Sequence, residues 1–486
     1  MNIKKKVYFD ITENNSLSIL FLIIAVLSVW RFTVASNLPF SVDEAYYIAW
    51  SKNLEFGYWT KPPVIAWIIG LARFACGETQ SCIRLAPILS FTISAFIIYA
   101  ISLKFKQNKT TSLIISLIFF TLPLSFFYGI AATTDSLLLL FWSLSIFFFK
   151  SAIEGNNFSW LFLGLSCGLG LLSKYTMILF GISVFLILLH SEYKIYLKTI
   201  WPYITIIITL LVFSPNIWWN YINNFPTFNH TIEISKADGY EFNFFTLLKF
   251  LVSQIGLGGP IVFVFFLFWL FNNNWIKSKD NWFFIMLSIP YFFIISLQAF
   301  LSRAHANWAL PAFICSIFIS IKYLKHKKNF LIFSFFINLS IGILLYHFDK
   351  LIVAPLNLTP SIKNDPFWSL RSWPDFSNKV YKIATKEKDF ELTIASDDRS
   401  VLSELQAVFR LPPESVLGWK KNKVPQNYFE HKFPIQESKR KKILLITKSS
   451  RNIILNSFSK IKFAGKIHSE IIKGRPLNYN LWWVEK

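Results

Sequence analysis

Long apolar runs separated by short polar turns fill the first 346 residues of this 486-residue chain. A helix of roughly 20 apolar residues crosses the hydrocarbon of a bilayer, about 30 Å thick. Runs of that kind centre near Ile24, Phe91, Ile118, Leu140, Leu165, Val184, Ile208, Phe265, Phe293, Phe313 and Ile337. The pattern predicts a mainly α, polytopic membrane domain over residues 1–346, with roughly eleven to thirteen spans. The run Pro62 to Ala75 is shorter, about 14 residues, and suits an interfacial helix better than a span. It is expected on the outer face, within a first outer loop over residues 37–81. Val34, Ala35 and Ser36 loosely resemble a signal-peptide cleavage site, but Trp30 and Arg31 interrupt the approach, so the first run is read as a span.

Beyond about Tyr346 the apolar runs stop, and residues 347–486 read as a small soluble α/β domain. Phe390 to Ala395, Lys442 to Thr447, Lys460 to Ile472 and Leu477 to Val484 have strand character, and Ser400 to Phe409 has the period of an amphipathic helix.

Composition agrees with a membrane protein: 54% of residues are hydrophobic and 16% are charged, where soluble domains carry about 25%. The net charge of +22 would suit nucleic acid, but its distribution points elsewhere. Lys4 to Lys6, Lys104/Lys106/Lys109, Lys150, Lys194/Lys198, Lys277/Lys279 and Lys322/Lys325/Lys327/Lys328 fall in alternate turns, which the positive-inside rule places in the cytoplasm. About half of the net charge lies in residues 347–486, which an odd number of spans puts outside, beside anionic headgroups. The expected partners are membrane lipids, with no nucleic acid. Cys167 and Cys315 fall within spans. Cys76 and Cys82 close the first outer loop, where an oxidising periplasm would allow a disulfide and a reducing compartment would leave two thiols.

Charge at membrane depth is costly and marks function. Here Asp43, Glu44, Lys61, Arg84, Asp135, Lys174, Glu233 and Arg303 fall near the predicted outer ends of spans, which describes a reaction site at the membrane surface rather than a conduction path. Ser41 can cap a helix whose first turn holds Asp43 and Glu44. That pair is read either as helix capping or as the source of a general base, and one face of a helix admits only one of the two, about 100° apart. Lys61 precedes Pro62 and Pro63, which hold its backbone extended.

The stretches DEAYYIAW, GYWTKPPVIAW and CIRLAP (Cys82 to Pro87) resemble the membrane glycosyltransferases related to protein O-mannosyltransferases and to bacterial lipid A aminoarabinose transferases. TTDSLLLLFW (Thr133 to Trp142), LSKYT (Leu172 to Thr176), PNIWWNYINNFPTF (Pro215 to Phe228), ANWALP (Ala306 to Pro311) and DDRSVLSELQAVFR (Asp397 to Arg410) are similar to further motifs of that family, in the same order. The resemblance implies a GT-C fold with periplasmic juxtamembrane helices, in the bacterial inner membrane, and a sugar donor carried on undecaprenyl phosphate. Under it Asp43 corresponds to the catalytic base, with Glu44 beside it and Asp135 as the second acidic residue. Lys61, Arg84 and Lys174, with Arg303 as a weaker match, correspond to ligands of the donor phosphate. Tyr46, Tyr58, Asn216, Trp219, Asn220, Asn307 and Trp308 are candidates for sugar or acceptor contacts. A divalent cation on Asp43 and Asp135 is left open as a cofactor.

The chemistry fits those roles. Departure of a polyprenyl phosphate leaves a phosphomonoester, so cations must meet growing negative charge. A hydroxyl acceptor needs a base, whereas an ionised phosphate acceptor does not. The expected reaction is transfer to lipid A or another lipopolysaccharide component on the periplasmic face, with inversion. A protein O-glycosyltransferase is the nearest alternative. A flippase for lipid-linked saccharide would instead predict midplane charges and related halves of the chain.

Overall fold

The computed structural model describes residues 2–236, 239, 242–272, 278–324, 328–386, 391–421, 424–440 and 442–485, with side chains for all of these except 2–12, 272, 323 and 328. Lys277, Lys325, Lys327 and Phe390 therefore lie outside the described residues, as do the side chains of Lys4, Lys5, Lys6 and Lys328. The chain divides into two compact units, Met1–Val34 with Lys61–Ile65 and Arg84–Tyr346, and Ala35–Thr60 with Ala66–Ile83 and His347–Lys486.

The first unit is helical. All eleven predicted centres fall inside helices: Asn2–Asn37, Leu85–Lys104, Lys109–Thr121, Thr134–Ala152, Phe158–Ser173, Ile178–Leu188, Trp201–Ile222, Pro260–Asn272, Lys279–Leu301, Leu310–Leu324 and Lys328–Tyr346. Among the described residues, six helices are long and apolar enough to cross a membrane, and seven more apolar helices are shorter. One of the short ones, Phe244–Leu257, has no counterpart in the sequence reading. It is followed by Gly259 at φ +82, a left-handed turn that leads into Pro260 at the next helix start.

Apolar side chains cannot by themselves drive helices together in lipid, so close approach and polar contacts do it. Gly164 and Gly168, one turn apart, face helix Trp201–Ile222: an added Cβ would sit 2.8 Å from Ile208 Cβ at the first and 2.6 Å from Val212 Cβ at the second. Along the same contact Thr205 Oγ1 donates to Trp160 O (2.9 Å) and Thr209 Oγ1 to Gly164 O (3.2 Å). Serines repeat the device elsewhere, as in Ser145 to Ser166 (2.9 Å) and Ser116 to Ala95 O (2.6 Å). The charge inside the first span, Arg31, is fully buried, donates to Phe120 O at 2.5 Å and lies 3.9 Å from the Phe120 ring centroid. A carbonyl and an aromatic face thus replace the water that a guanidinium in hydrocarbon would lack.

The second unit carries a five-stranded sheet in the order β2-β1-β3-β5-β4, with β1 at Ile394–Ser396, β2 at Val416–Gly418, β3 at Ile443–Thr447, β4 at Lys460–Ser469 and β5 at Leu477–Glu485. β1, β2 and β3 run parallel, and β5 is antiparallel to both β3 and β4. The predicted amphipathic helix is Arg399–Phe409. β2 has no counterpart among the strands predicted from the sequence. The sequence reading groups residues 37–81 with the membrane domain, whereas most of this loop clusters with the C-terminal residues. The reason is aromatic burial: helix Val42–Ser51 packs on Arg399–Phe409, and Tyr46 and Trp50 bury their rings against Tyr428.

Gly168→Val is expected to destabilise the protein by about 1–3 kcal/mol through overpacking, read as a lower unfolding temperature in detergent. Gly181→Ala, where nothing lies within 4 Å of the added carbon, should leave that temperature unchanged or raise it. Equal temperatures for wild type and Gly168→Val would contradict the close helix approach.

Candidate active site

In the first unit three distant segments converge on one carboxylate. Asp135 stands in the first turn of helix Thr134–Ala152, where backbone N–H groups and the helix dipole favour negative charge. Lys174 Nζ approaches Asp135 Oδ1 at 2.8 Å, and Asn307 Nδ2 donates to Oδ2 at 3.1 Å. The ion pair is largely out of solvent, with side-chain exposures of 11% for Lys174 and 6% for Asp135. Lys174 reaches this position because helix Phe158–Ser173 stops there, its backbone turning extended (φ −158, ψ 130) before a short 3-10 turn. Asn307 comes from the turn Ala306–Ala309, which Gln254 Nε2 steadies by donating to Ala306 O at 3.2 Å.

Tyr175, next to Lys174, is itself tied down. Its hydroxyl donates to Asn216 Oδ1 (2.8 Å) and receives Asn220 Nδ2 (3.3 Å), while Asn220 Oδ1 accepts from Thr227 N (3.2 Å). Asn216 and Asn220 are fully buried, so both amides serve to hold the Lys174–Tyr175 break rather than standing open to a sugar. Trp219 is buried as well. Trp308 is half-buried and meets His305 edge to face at 5.5 Å. Arg84 is buried just before helix Leu85–Lys104; Lys61 and Arg303 are half-buried. All three belong to this unit.

In the second unit Ser41 closes a capping box. Its Oγ accepts from Glu44 N (3.2 Å) and Glu44 Oε2 accepts from Ser41 N (3.0 Å). Glu44 is therefore buried structure, and Asp43 is the carboxylate left facing out, 59% exposed, with Oδ1 3.8 Å from Arg399 Nη2. The same guanidinium lies 4.9 Å from the Tyr46 ring centroid. Burial pushes the Tyr46 hydroxyl up to about 12, against the opposing pull of Arg399, so it stays a neutral phenol that accepts from Tyr428 N at 2.8 Å. Tyr58 stacks on Trp50 at 4.7 Å and its hydroxyl is held by Glu55 N (2.9 Å) and Asn53 O (3.0 Å). Tyr46 and Tyr58, candidates for sugar contacts from the sequence, are wholly buried packing residues. Cys76 and Cys82 are disulfide-bonded, with Cα atoms 5.8 Å apart.

Residues 60–219, which contain Lys61, Arg84, Asp135 and Lys174, match the family described as dolichyl-phosphate-mannose-protein mannosyltransferase. A lipid A galacturonosyltransferase, RgtD, of Rhizobium johnstonii is 26% identical over 435 residues, covering 88% of this chain and 90% of the relative. Along most of its length the chain is thus similar to membrane glycosyltransferases of this kind. An undecaprenyl phosphate-alpha-4-amino-4-deoxy-L-arabinose arabinosyl transferase of Erwinia tasmaniensis is 29% identical over 126 residues, which is 25% of this chain and 23% of that protein. The crystal structure of ArnT from Cupriavidus metallidurans bound to undecaprenyl phosphate superposes with a TM-score of 0.67 at 12% identity, over 95% of this chain and 97% of that one. This multi-pass membrane protein thus has the ArnT-like GT-C fold.

The sequence reading did not assign roles to Arg399 or Tyr175, and it placed Asn307 with the sugar rather than on Asp135. Arg399 and Tyr175 lie inside motifs already singled out, but nothing in a motif says which carboxylate or amide it will meet. Both oxygens of Asp135 are engaged by Lys174 and Asn307, and no group of three His, Cys, Asp or Glu suited to a metal occurs among the described residues. That arrangement does not fit a divalent cation on Asp135.

Removing one partner of a buried ion pair strands the other, at about 3–5 kcal/mol. Lys174→Met should therefore lower stability by about that much and abolish sugar transfer by this glycosyltransferase. Asp135→Leu combined with Lys174→Met should regain most of the stability and none of the transfer, measured by thermal unfolding and by a radiolabelled-sugar assay. Transfer at the wild-type rate by the double variant would reduce the pair to a structural device.

Proposed function

We propose that this protein moves a sugar from undecaprenyl phosphate to lipid A or another lipopolysaccharide component, at the periplasmic face of the bacterial inner membrane. The observation that carries this reading is the match to a lipid A galacturonosyltransferase along nine-tenths of both chains. The fold likeness to a protein bound to undecaprenyl phosphate is in keeping with the donor. Alternation of basic turns supports cytoplasmic Lys-rich turns and outward-facing site residues.

Lys61, Arg84, Lys174 and Arg303, all in the first unit, are assigned to the donor phosphate. Fixed cations in a water-poor site stabilise the charge that grows on the leaving phosphate oxygen without reorganising as the bond breaks. Asp135 holds Lys174 in place and Asn307 holds Asp135. Asp43, exposed in the second unit, is assigned to the acceptor. Toward a hydroxyl it serves as general base. Toward a phosphate already ionised it orients Arg399, which lies beside it. Attack opposite the phosphate inverts the anomeric centre. The family name keeps a protein acceptor as the second reading.

Mass spectrometry of lipid A from cells with and without the gene should show one added sugar in the first and none in the second. Asp43→Asn should lower that addition about a hundredfold or more if a hydroxyl is the acceptor. An unchanged lipid A mass, with donor-derived label recovered in secreted protein, would move the assignment to protein glycosylation. Single cysteines placed at Lys61 and Lys322 should react with an impermeant reagent from opposite sides of the membrane; labelling from one side would overturn the orientation.

A further inference from the structure

The second unit contains a cleft that neither the family match nor the ion pair of the first unit uses. Its volume is about 310 Å³, and its walls come from the residues that follow β1 (Asp397, Asp398, Arg399), from Lys448 after β3, and from Gln426, Asn427 and Tyr479. It thus lies beyond the carboxyl ends of two adjacent parallel strands. In the order β2-β1-β3 the chain leaves β1 toward one neighbour and returns on the other side. Open α/β sheets bind ligands at this kind of topological switch point, because the connecting loops separate there and leave a crevice.

The polar groups of the cleft divide into acceptors already committed to its walls and donors with hydrogen-bonding capacity to spare. Asp398 accepts from Ser400 N (2.8 Å) and from the Tyr479 hydroxyl (2.7 Å). Asp397 is ion-paired with Lys421. Asn427 caps helix Tyr428–Lys432 through its oxygen and donates to Glu430 through its nitrogen. Both acids and the buried amide are thus committed to the walls. The remaining donors of the cleft are Lys448, an exposed ammonium 4.7 Å from the Tyr479 ring centroid, the exposed Gln426 amide, which also donates to Val424 O (3.3 Å), and Arg399, half-buried beside Asp43. The available donors call for an anionic, oxygen-rich ligand. The volume is at the low end for ligand pockets, about 300–1,000 Å³, which suits a single phosphorylated sugar ring. Arg399 forms one wall and lies 3.8 Å from Asp43, so a sugar held here lies next to the carboxylate assigned to the acceptor.

We propose that this cleft binds a phosphorylated sugar of the lipid acceptor, with Lys448, Gln426 and Arg399 recognising its phosphate and hydroxyls, and so sets which acceptor is presented to Asp43. The proposal rests on the acceptor reading given above and adds the subsite and the chemistry that select it.

The test uses the full chain in lipid nanodiscs, with an undecaprenyl-phosphate-linked sugar as donor and bisphosphorylated lipid A as acceptor. Lys448→Glu and Gln426→Ala change exposed side chains and should fold normally. Lys448→Glu should raise the acceptor KM about tenfold or more, the worth of one lost charge-assisted contact, with donor KM and kcat unchanged. Gln426→Ala should raise it less. Lys460→Ala, on β4 and paired with Glu485, is the control and should change nothing. Lipid A stripped of phosphate should show the raised KM with wild type and no further rise with Lys448→Glu. An unchanged acceptor KM in Lys448→Glu, or a change confined to donor KM or kcat, overturns the proposal. A separate binding measurement keeps it distinct from the transferase reading. Deacylated lipid A, the soluble bisphosphorylated glucosamine disaccharide, should bind wild type and not Lys448→Glu even if lipid A proves not to be the acceptor in transfer. Equal binding to both overturns the cleft.

Discussion

A polar group in hydrocarbon must carry its partner with it, and the setting of the buried charges Arg31, Asp135 and Lys174 in the first unit follows from that requirement. Arg31 meets it in part with the Phe120 carbonyl and ring, and serines such as Ser116 and Ser145 meet it with neighbouring backbone or with another serine. Asp135 and Lys174 satisfy it with each other. Because such solutions are few, reactive charge collects where helices end, and a helix end also supplies unpaired backbone N–H groups to a carboxylate. The break at Lys174 is the point at which this constraint brings a cation onto a carboxylate. Only where the helix stops can a lysine leave its helical path and reach the first turn of a neighbouring helix.

The surroundings of the pair are arranged to keep that break in one shape. Tyr175 is held by two buried asparagines, one of which also meets the backbone of Thr227, while Gln254 fixes the turn that carries Asn307. These neutral hydrogen bonds, two of them to backbone atoms, hold the segments that carry Lys174 and Asn307 in place. The second unit handles its acids differently. Glu44 is consumed by a capping box, which leaves Asp43 as the exposed member of the pair, and Tyr46 provides a ring beneath Arg399. The carboxylates after β1 are likewise committed to a helix N-terminus, a tyrosine and a lysine.

Much of the candidate site could be picked out in the sequence because charged residues are scarce in this chain, and each one near a span stands out. Asp43, Asp135, Lys61, Arg84 and Lys174 could be singled out in this way, and their motifs carried the family. The choice between Asp43 and Glu44 was not legible, since either could cap or face out, and the decision rests on a hydrogen bond between residues 41 and 44. Tyr46 and Tyr58, candidates for sugar or acceptor contacts, are packed against Tyr428, 382 positions after Tyr46. β2 lies between a Pro-Pro turn and a Lys-rich stretch, and nothing in its sequence marks it as a strand.

What the sequence by itself determined is the division into membrane helices and a terminal α/β domain, because hydrophobic length and period act locally and the bilayer admits few alternatives. The eleven apolar centres, the later strands and the motif order all belong to that class of information. Only the tertiary structure decided which charges meet: Asp135 with Lys174 and Asn307, Asp43 with Arg399, and the loop near Tyr46 with the C-terminal residues. Those pairings join residues 39, 172, 356 and 382 positions apart. No local propensity encodes contacts at that range; they form because a buried charge or aromatic ring must find a partner and the fold offers only certain ones.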